Sequence, residues 1–302
     1  MNQAQYLLPE SRGVLRVAGE DRYAFLQGLV SNNVMQATAG RAIWTAFLTP
    51  QGKYLHDFFI AASGEAFLLD CEADRRQDLL RRLSLYKLRS RVTVADANSD
   101  QAVALIFGAR ALEKLGLPAE PGAAKPLGDG VVYVDPRLPA LGARAILPRP
   151  GIADALRAAG IEPGKADDYD QRRIALGVPD GSRDLKVEKA ILLENGFDEL
   201  HGIDWDKGCY MGQELTARTH YRGLVRKRLI PVRIEGPIPA PGTTIMLGDR
   251  EAGETASATT TENGAVGLAM IRLEHLDPPP PPGSFVAGEA KLTPLKPDWA
   301  RF

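Results

Sequence analysis

Asp204-Trp205-Asp206-Lys207-Gly208-Cys209-Tyr210-Met211-Gly212-Gln213-Glu214 is the densest polar stretch of the chain, and it runs on into Arg218-Thr219-His220-Tyr221-Arg222-Gly223. It sets a thiol between two glycines, with an ammonium group two residues before it. Gly208 and Gly212 permit backbone angles that other residues resist and let a ligand approach the main chain. Lys207, together with a helix beginning near Gly212, would favour the thiolate of Cys209, the form that attacks electrophiles or binds metal. The same residue also reads as a small buried hydrophobe, a common fate of free cysteines. Cys71 ends an apolar strand and reads as inert packing. Two cysteines so far apart give neither a disulfide framework nor a metal-type spacing. His201 and His220 flank the loop without a zinc pattern, so no metal site is expected.

Before this loop the patterns are mixed. Gly13 to Val17 reads as a strand, and Gly19-Glu20-Asp21 as a turn into a helix carrying Phe25, Leu26 and Leu29. Ile43 to Leu48 and Tyr54 to Ile60 are apolar runs joined by Thr49-Pro50-Gln51-Gly52-Lys53, which indicates a hairpin. Ala66 to Cys71 follows as a strand. Ala73 to Leu88 has Leu79, Leu80, Leu83 and Tyr86 at helical spacing. Ala102 to Phe107, Val131 to Val134 and Ala143 to Leu147 read as strands, Leu115 to Asp129 as loop, and Ile152 to Ala159 and Asp167 to Leu176 as helices. No glycine fingerprint for a dinucleotide follows any strand, and the strands interleave too irregularly for a doubly wound sheet, so the class is α+β. After the loop, five strands from Val225 to Leu292 without a helical period predict a small antiparallel barrel or sandwich. Pro278 to Pro282 reads as a rigid loop between two of them.

Composition narrows the function by exclusion. The 302 residues carry 37 basic and 38 acidic side chains and are 44% hydrophobic, which suits a soluble chain and not a DNA-coating one. No apolar run approaches the ~20 residues that cross a bilayer. The opening residues show no secretory pattern, and Arg12 is their only cation, so a cytoplasmic location is expected.

Lys207-Gly208-Cys209-Tyr210-x-Gly212-Gln213-Glu214, with Arg218 and Tyr221-Arg222-Gly223, resembles the signature of the YgfZ/Iba57 family, folate-binding proteins that support iron–sulfur cluster assembly or repair. Phe25-Leu26-Gln27-Gly28-Leu29 with Asn33-Val34 resembles the family's FLQG…DV element, Asn33 standing where aspartate is usual. Leu48 to Lys53 resembles its LxPxGK hairpin. The similarity runs in order from about Val14 to Pro231, and the continuation Glu214 to His220 is closer to the Iba57 branch. The wider superfamily includes the aminomethyltransferase of glycine cleavage. The resemblance implies a three-lobed clover leaf of two α/β lobes and a C-terminal antiparallel β-barrel around a central folate channel. Residues 1–225 would form the folate-binding region, with sub-boundaries near 98 and 165, and 226–302 the barrel.

The resemblance also implies chemistry. Tetrahydrofolate or a one-carbon derivative is the expected cofactor, and iron–sulfur client or assembly proteins are the expected partners. Cys209 is the expected reactive residue, with Lys207 beside it. Asp57 lies nearest the aspartate by which the aminomethyltransferase positions folate, and His56 replaces the first acid of that enzyme's pair. Asp57 equally reads as a strand-end hydrogen-bonding group. A pterin edge suits a carboxylate, Glu188 or Glu194, and folate glutamates suit cations, Arg218 and Arg222. Trp205, Tyr210, Gly212, Gln213 and Glu214 complete the expected folate contacts. Arg226 and Arg228 fit a charged face of an exposed strand. Two further functions stay open: a folate-dependent one-carbon transferase, resting on Asp57, and an RNA-binding scaffold in tRNA modification, resting on the cations after Ala217. Direct nucleic-acid binding is the least favoured, since a link to tRNA would run through iron–sulfur enzymes.

Overall fold

The computed structural model describes residues 3–223, 225–262 and 264–302. In chain order the elements are β1 (Ala4–Leu7), β2 (Arg12–Ala18), α1 (Arg22–Gln27), β3 (Ile43–Leu48), β4 (Tyr54–Ser63), β5 (Ala66–Glu72), α2 (Arg76–Tyr86), β6 (Thr93–Asp96) and β7 (Gln101–Gly108). Next come α3 (Ala111–Lys114), β8 (Ala124–Leu127), β9 (Gly130–Val134), β10 (Ala143–Pro148), α4 (Ile152–Ala158), β11 (Glu162–Pro163), α5 (Ala166–Ala175), α6 (Gly181–Asp184) and α7 (Gln213–Tyr221). The last six strands are β12 (Lys227–Glu235), β13 (Thr244–Leu247), β14 (Arg250–Thr261), β15 (Gly264–Arg272), β16 (Phe285–Ala287) and β17 (Ala290–Pro294).

The chain divides into two compact units, both discontinuous in sequence. One takes the chain up to Pro50, Leu55–Ala166 and Leu200–Gln213; the other takes Gln51–Tyr54, Asp167–Glu199 and everything from Glu214 onward. The first holds two sheets. Their orders are β3-β4-β5-β2-β6 and β11-β1-β7-β10-β9-β8, antiparallel at every register given except the short β1/β11 pair. β3, β4 and β5 are buried on both faces and mostly apolar, Thr45, His56, Asp57 and Asp70 being their buried polar exceptions. α2 buries Leu79 and Leu83, the positions its helical period marks, while Tyr86 at its end is exposed.

Five ionised side chains sit in the core of this unit. Asp70 on β5 accepts from Arg12 Nε on β2 at 2.7 Å and from Arg144 Nη2 on β10 at 2.6 Å. Asp135 accepts from Arg137 at 2.9 and 2.8 Å, and Arg144 approaches it at 3.6 Å. The guanidinium groups of Arg144, Arg137 and Arg12 lie 4.0, 4.9 and 5.7 Å from the ring centre of Phe59. Burial alone would raise the Asp135 carboxyl, but the charge and hydrogen bonds of Arg137, with Arg144 beyond, hold it below the usual range. Because β5 and β10 belong to different sheets, Asp70 ties one sheet to the other.

In the second unit β12-β15-β14-β13-β16-β17 close into an antiparallel barrel. Ile230, Val232, Ile245, Ile271, Phe285 and Leu292 fill it. Arg173 of α5, buried, donates to Asp184 Oδ2 of α6 at 2.8 Å and to Ser257 Oγ of β14 at 3.0 Å, fixing both helices to the barrel wall. The α+β class and the C-terminal barrel agree with the sequence reading. Three details differ. The stretch read as loop from Leu115 to Asp129 contains β8, an edge strand whose Pro126 and two glycine neighbourhoods hide its pattern. Phe285 to Leu292 is two strands, turned at Gly288, and Ala4–Leu7 is an additional strand.

Removing one member of a buried ion network leaves its partners charged and unpaired. Asp70→Ala is therefore expected to cost about 3–5 kcal/mol of unfolding free energy. Arg81→Ala, which removes an exposed pair with Asp78, should cost less than about 1 kcal/mol. Urea denaturation of both variants checks this; equal losses would show the network to be dispensable.

Candidate functional site

The signature loop belongs to the first unit and is held by side chains from the FLQG…NV element. The Gln27 amide is the centre of that clasp. Its Nε2 donates to Lys207 O at 3.2 Å and to Asn33 Oδ1 at 3.1 Å, and its Oε1 accepts from Val34 N–H at 2.8 Å. Asn33 also accepts from Met35 N–H at 3.2 Å, so an amide oxygen performs there the capping that a carboxylate would. Just upstream, Ser31 Oγ donates to Gly202 O at 2.6 Å, and Asn32 Nδ2 donates to Trp44 O and His201 O, each at 2.7 Å. Met211 N–H donates to Gly28 O at 3.1 Å. Two motifs far apart in sequence are thus one hydrogen-bonded substructure.

Lys207 completes it. Its ammonium donates to Gln27 O, at the last residue of α1, at 2.7 Å and to Val30 O, three residues on, and lies 4.9 Å from the Tyr210 ring centre. Burial pushes its amine down to about 8, partly countered by the Asp204 carboxylate. Gly208 and Gly212 both take positive φ, 88° and 80°. A Cβ at Gly208 would meet nothing within 4 Å, so backbone conformation and not crowding requires glycine there. Gln213 Oε1, at the first residue of α7, accepts from Tyr210 N–H at 3.1 Å and ties the loop to the start of the helix. Cys209, between these anchors, is exposed; Cys71 is buried, with its thiol pushed by burial up to about 12.

Asp57 and His56 are neighbours on β4 and so point to opposite faces. Asp57, buried, accepts from Trp44 Nε1 at 2.8 Å, and the Arg137 guanidinium lies 5.6 Å from the Trp44 ring. His56 meets Asp78 of α2 at 3.0 Å; burial, aided by the charge of Arg75, pushes it down to about 4, so it is neutral at physiological pH. Trp205 is half-buried in the loop.

The remaining expected residues fall in the second unit. Glu188 is exposed, has φ 60°, and its N–H donates to Tyr54 O at 2.7 Å. Burial raises Glu194, which pairs with Lys227 at 3.7 Å. Glu214 is exposed in the first turn of α7, and Arg218 and Arg222, one turn apart, are exposed without an ion pair among the described residues. Arg228 departs from the expected exposed face: it is buried and donates to Glu199 at 2.5 Å. Of the cations after Ala217, Lys227 and Arg228 are thus committed internally. Among the described residues no group of three His, Cys, Asp or Glu is placed to hold a metal ion, and no helix is long and apolar enough to cross a membrane.

Comparison with known proteins places this arrangement. Residues 10–117 match the family described as GCVT N-terminal domain, and residues 226–302 match CAF17, C-terminal beta-barrel domain. The chain is 34% identical over 308 residues to the iron–sulfur cluster assembly factor IBA57, mitochondrial, of Homo sapiens, covering 96% of this chain and 83% of that one. The chain belongs to the Iba57 family. The Mus musculus relative is 32% identical, covering 96% of this chain and 84% of its own. Glycine cleavage system aminomethyltransferase T from Bartonella henselae shares the fold, with a TM-score of 0.77 at 14% identity over 97% of this chain and 85% of that one. The Iba57 relatives overturn the cytoplasmic expectation, because they are mitochondrial proteins. A quiet amino terminus carries no compartment.

The sequence marked the loop but not what holds it. Gln27 and Asn33 were visible as a motif without a role, and Trp44 as the partner of Asp57, with Arg137 over its ring, had no local signal. Lys207→Met removes an ammonium from two carbonyls and is expected to cost about 1–2 kcal/mol at pH 7. Between pH 8 and 10.5 the unfolded chain holds a proton that folded Lys207 has released, so this group makes stability rise with pH. Urea midpoints across that window should rise more steeply for wild type than for the variant; parallel curves would contradict the burial of this amine.

Proposed function

We propose that this Iba57-family chain binds reduced folate and serves the assembly or repair of iron–sulfur clusters in client enzymes, with Cys209 as its reactive group. The observation that carries the reading is the exposed thiol in a loop clasped by Gln27, Lys207 and Gln213, in a chain whose other thiol is buried. A rigid loop presents the sulfur at low entropic cost to a cluster or a partner, both of which are delivered from outside. Any bearing on tRNA modification is indirect, through the iron–sulfur enzymes that perform it.

Each unit carries groups of the kinds a folate takes. Arg218 and Arg222 form an i, i+4 pair of uncompensated cations, suited to glutamyl carboxylates. In the second unit Glu188 and Glu194 are acceptors of the kind a pterin N–H edge takes; in the first, the Trp44-held Asp57 is such an acceptor and Trp205 and Tyr210 are aromatics of the kind a pterin stacks on. Bound tetrahydrofolate would supply a one-carbon carrier nitrogen or a reducing ring. The chain's own residues bind and orient it. A one-carbon transferase is the second reading, and the buried, Trp44-bonded Asp57 favours it.

Calorimetric titration with tetrahydrofolate tests the first reading. Wild type and Cys209→Ser are expected to bind alike, Arg218→Glu/Arg222→Glu about tenfold more weakly. Cys209→Ser should also fail to restore a dependent iron–sulfur enzyme in cells lacking the chain. No saturable binding would remove folate, full restoration would remove the thiol's role, and turnover of labelled methylene-tetrahydrofolate would favour the transferase.

A further inference from the structure

The carboxyl end of α2 carries a surface that neither the thiol nor the folate reading uses. Leu85 is 64% exposed, Tyr86 40% and Leu88 88%, three large apolar side chains within four residues. Large apolar side chains scattered singly over a surface need no explanation, but a contiguous group does. The helix continues its apolar residues past the point where its buried face ends. Leu79 and Leu83 are in the core, and Tyr86, 40% exposed, meets Phe47 edge-on at 5.9 Å between ring centres. Ser90 N–H then closes a turn on Lys87 O at 2.8 Å, and within that turn Leu88 takes φ 46°, a left-handed conformation that leucine seldom adopts. The turn thus presents its leucine in one fixed place.

Charge says what meets it. Lys87 and Arg89 bracket Leu88, and neither side chain has a carboxylate partner among the described residues. Nearby, Arg81 and Arg82 share Asp78 at 2.6 and 2.7 Å, and Arg91 is held by Glu20 and Asp21. The patch is therefore an apolar centre with two uncompensated cations, beside a rim where both signs are already paired. We propose that this surface, Leu85, Tyr86 and Leu88 flanked by Lys87 and Arg89, docks an amphipathic helix of a protein partner that carries acidic residues beside its apolar stripe. The leucines and the tyrosine enter the stripe, and the two cations meet the acids at its margin. An anionic lipid surface suits the patch less well, because its two uncompensated cations, Lys87 and Arg89, fall short of the ~4–8 that a polybasic lipid contact gathers.

The probe is a synthetic helical peptide with leucines on one face and glutamates on its flanks, titrated against the full chain by fluorescence anisotropy. The glutamate peptide should bind, and the same peptide with lysines in place of the glutamates should bind at least about tenfold more weakly. Leu88→Ser and the pair Lys87→Glu/Arg89→Glu should each weaken the glutamate peptide by about tenfold or more; Leu88→Ser, at an 88% exposed side chain, leaves the unfolding midpoint unchanged, and the acidic pair, at the carboxyl end of α2, lowers it slightly against the helix dipole. Equal binding of the two peptides, or unaltered binding by both variants, overturns the proposal. So does binding to phosphatidylserine vesicles without binding to the peptide, which would make this a membrane contact. Dimerisation in sedimentation that Leu88→Ser abolishes would assign the patch to a second copy of the chain and overturn the proposal as well.

Discussion

Two carboxylates and three guanidinium groups buried around one phenyl ring set the terms for the first unit. Charges removed from water are costly, and this set is tolerable only because each has partners at hydrogen-bonding distance and a ring face to lie against. Asp70 can satisfy Arg12 and Arg144 together only if β5 and β10 sit at one separation and one offset. A slip of one residue in either strand would turn its side chain to the opposite face and leave an ion alone. The same network reaches the candidate site. Arg137, fixed by Asp135, covers Trp44, and Trp44 holds Asp57. Asp57 is thus positioned, by way of Trp44, from an ion pair in the loop between β9 and β10.

The signature loop divides its labour unevenly. Most of its distinctive residues are occupied with shape: Lys207 with the end of α1, Gln213 with Tyr210 N–H, Gly208 and Gly212 with backbone angles. Cys209, between these residues, is exposed. The arginines a turn later, on α7, belong with the second unit. A motif with so many fixed positions is accordingly what a loop without regular structure needs to hold one shape.

Much of the fold was legible because its strands and helices obey their periods. Ile43 to Leu48, the Leu79–Leu83 face and the barrel strands were all visible in apolar spacing alone. What was illegible lies in three kinds of place. Edge strands such as Ala124–Leu127 have too few apolar residues to declare themselves. The short final hairpin turns at Gly288 within what reads as one run. Long-range polar pairs, such as Asp70 with Arg144, 74 residues apart, leave no trace in local pattern. Arg228 shows the same effect on the surface: strand alternation gave it to solvent, and Glu199 took it inside. At the candidate site the types of residue were readable from chemistry and resemblance, but their duties were set by backbone carbonyls that no side-chain pattern records.

Trp44 lies between opposite charges, with an anion at its N–H and a cation over its face. Such an oriented field shifts the energies of an indole's excited states, so absorption and emission register any change in either charge. With only three tryptophans in the chain, the protein carries its own optical gauge of the Asp57 environment. The interaction that holds the carboxylate in place is also the one through which its state can be watched.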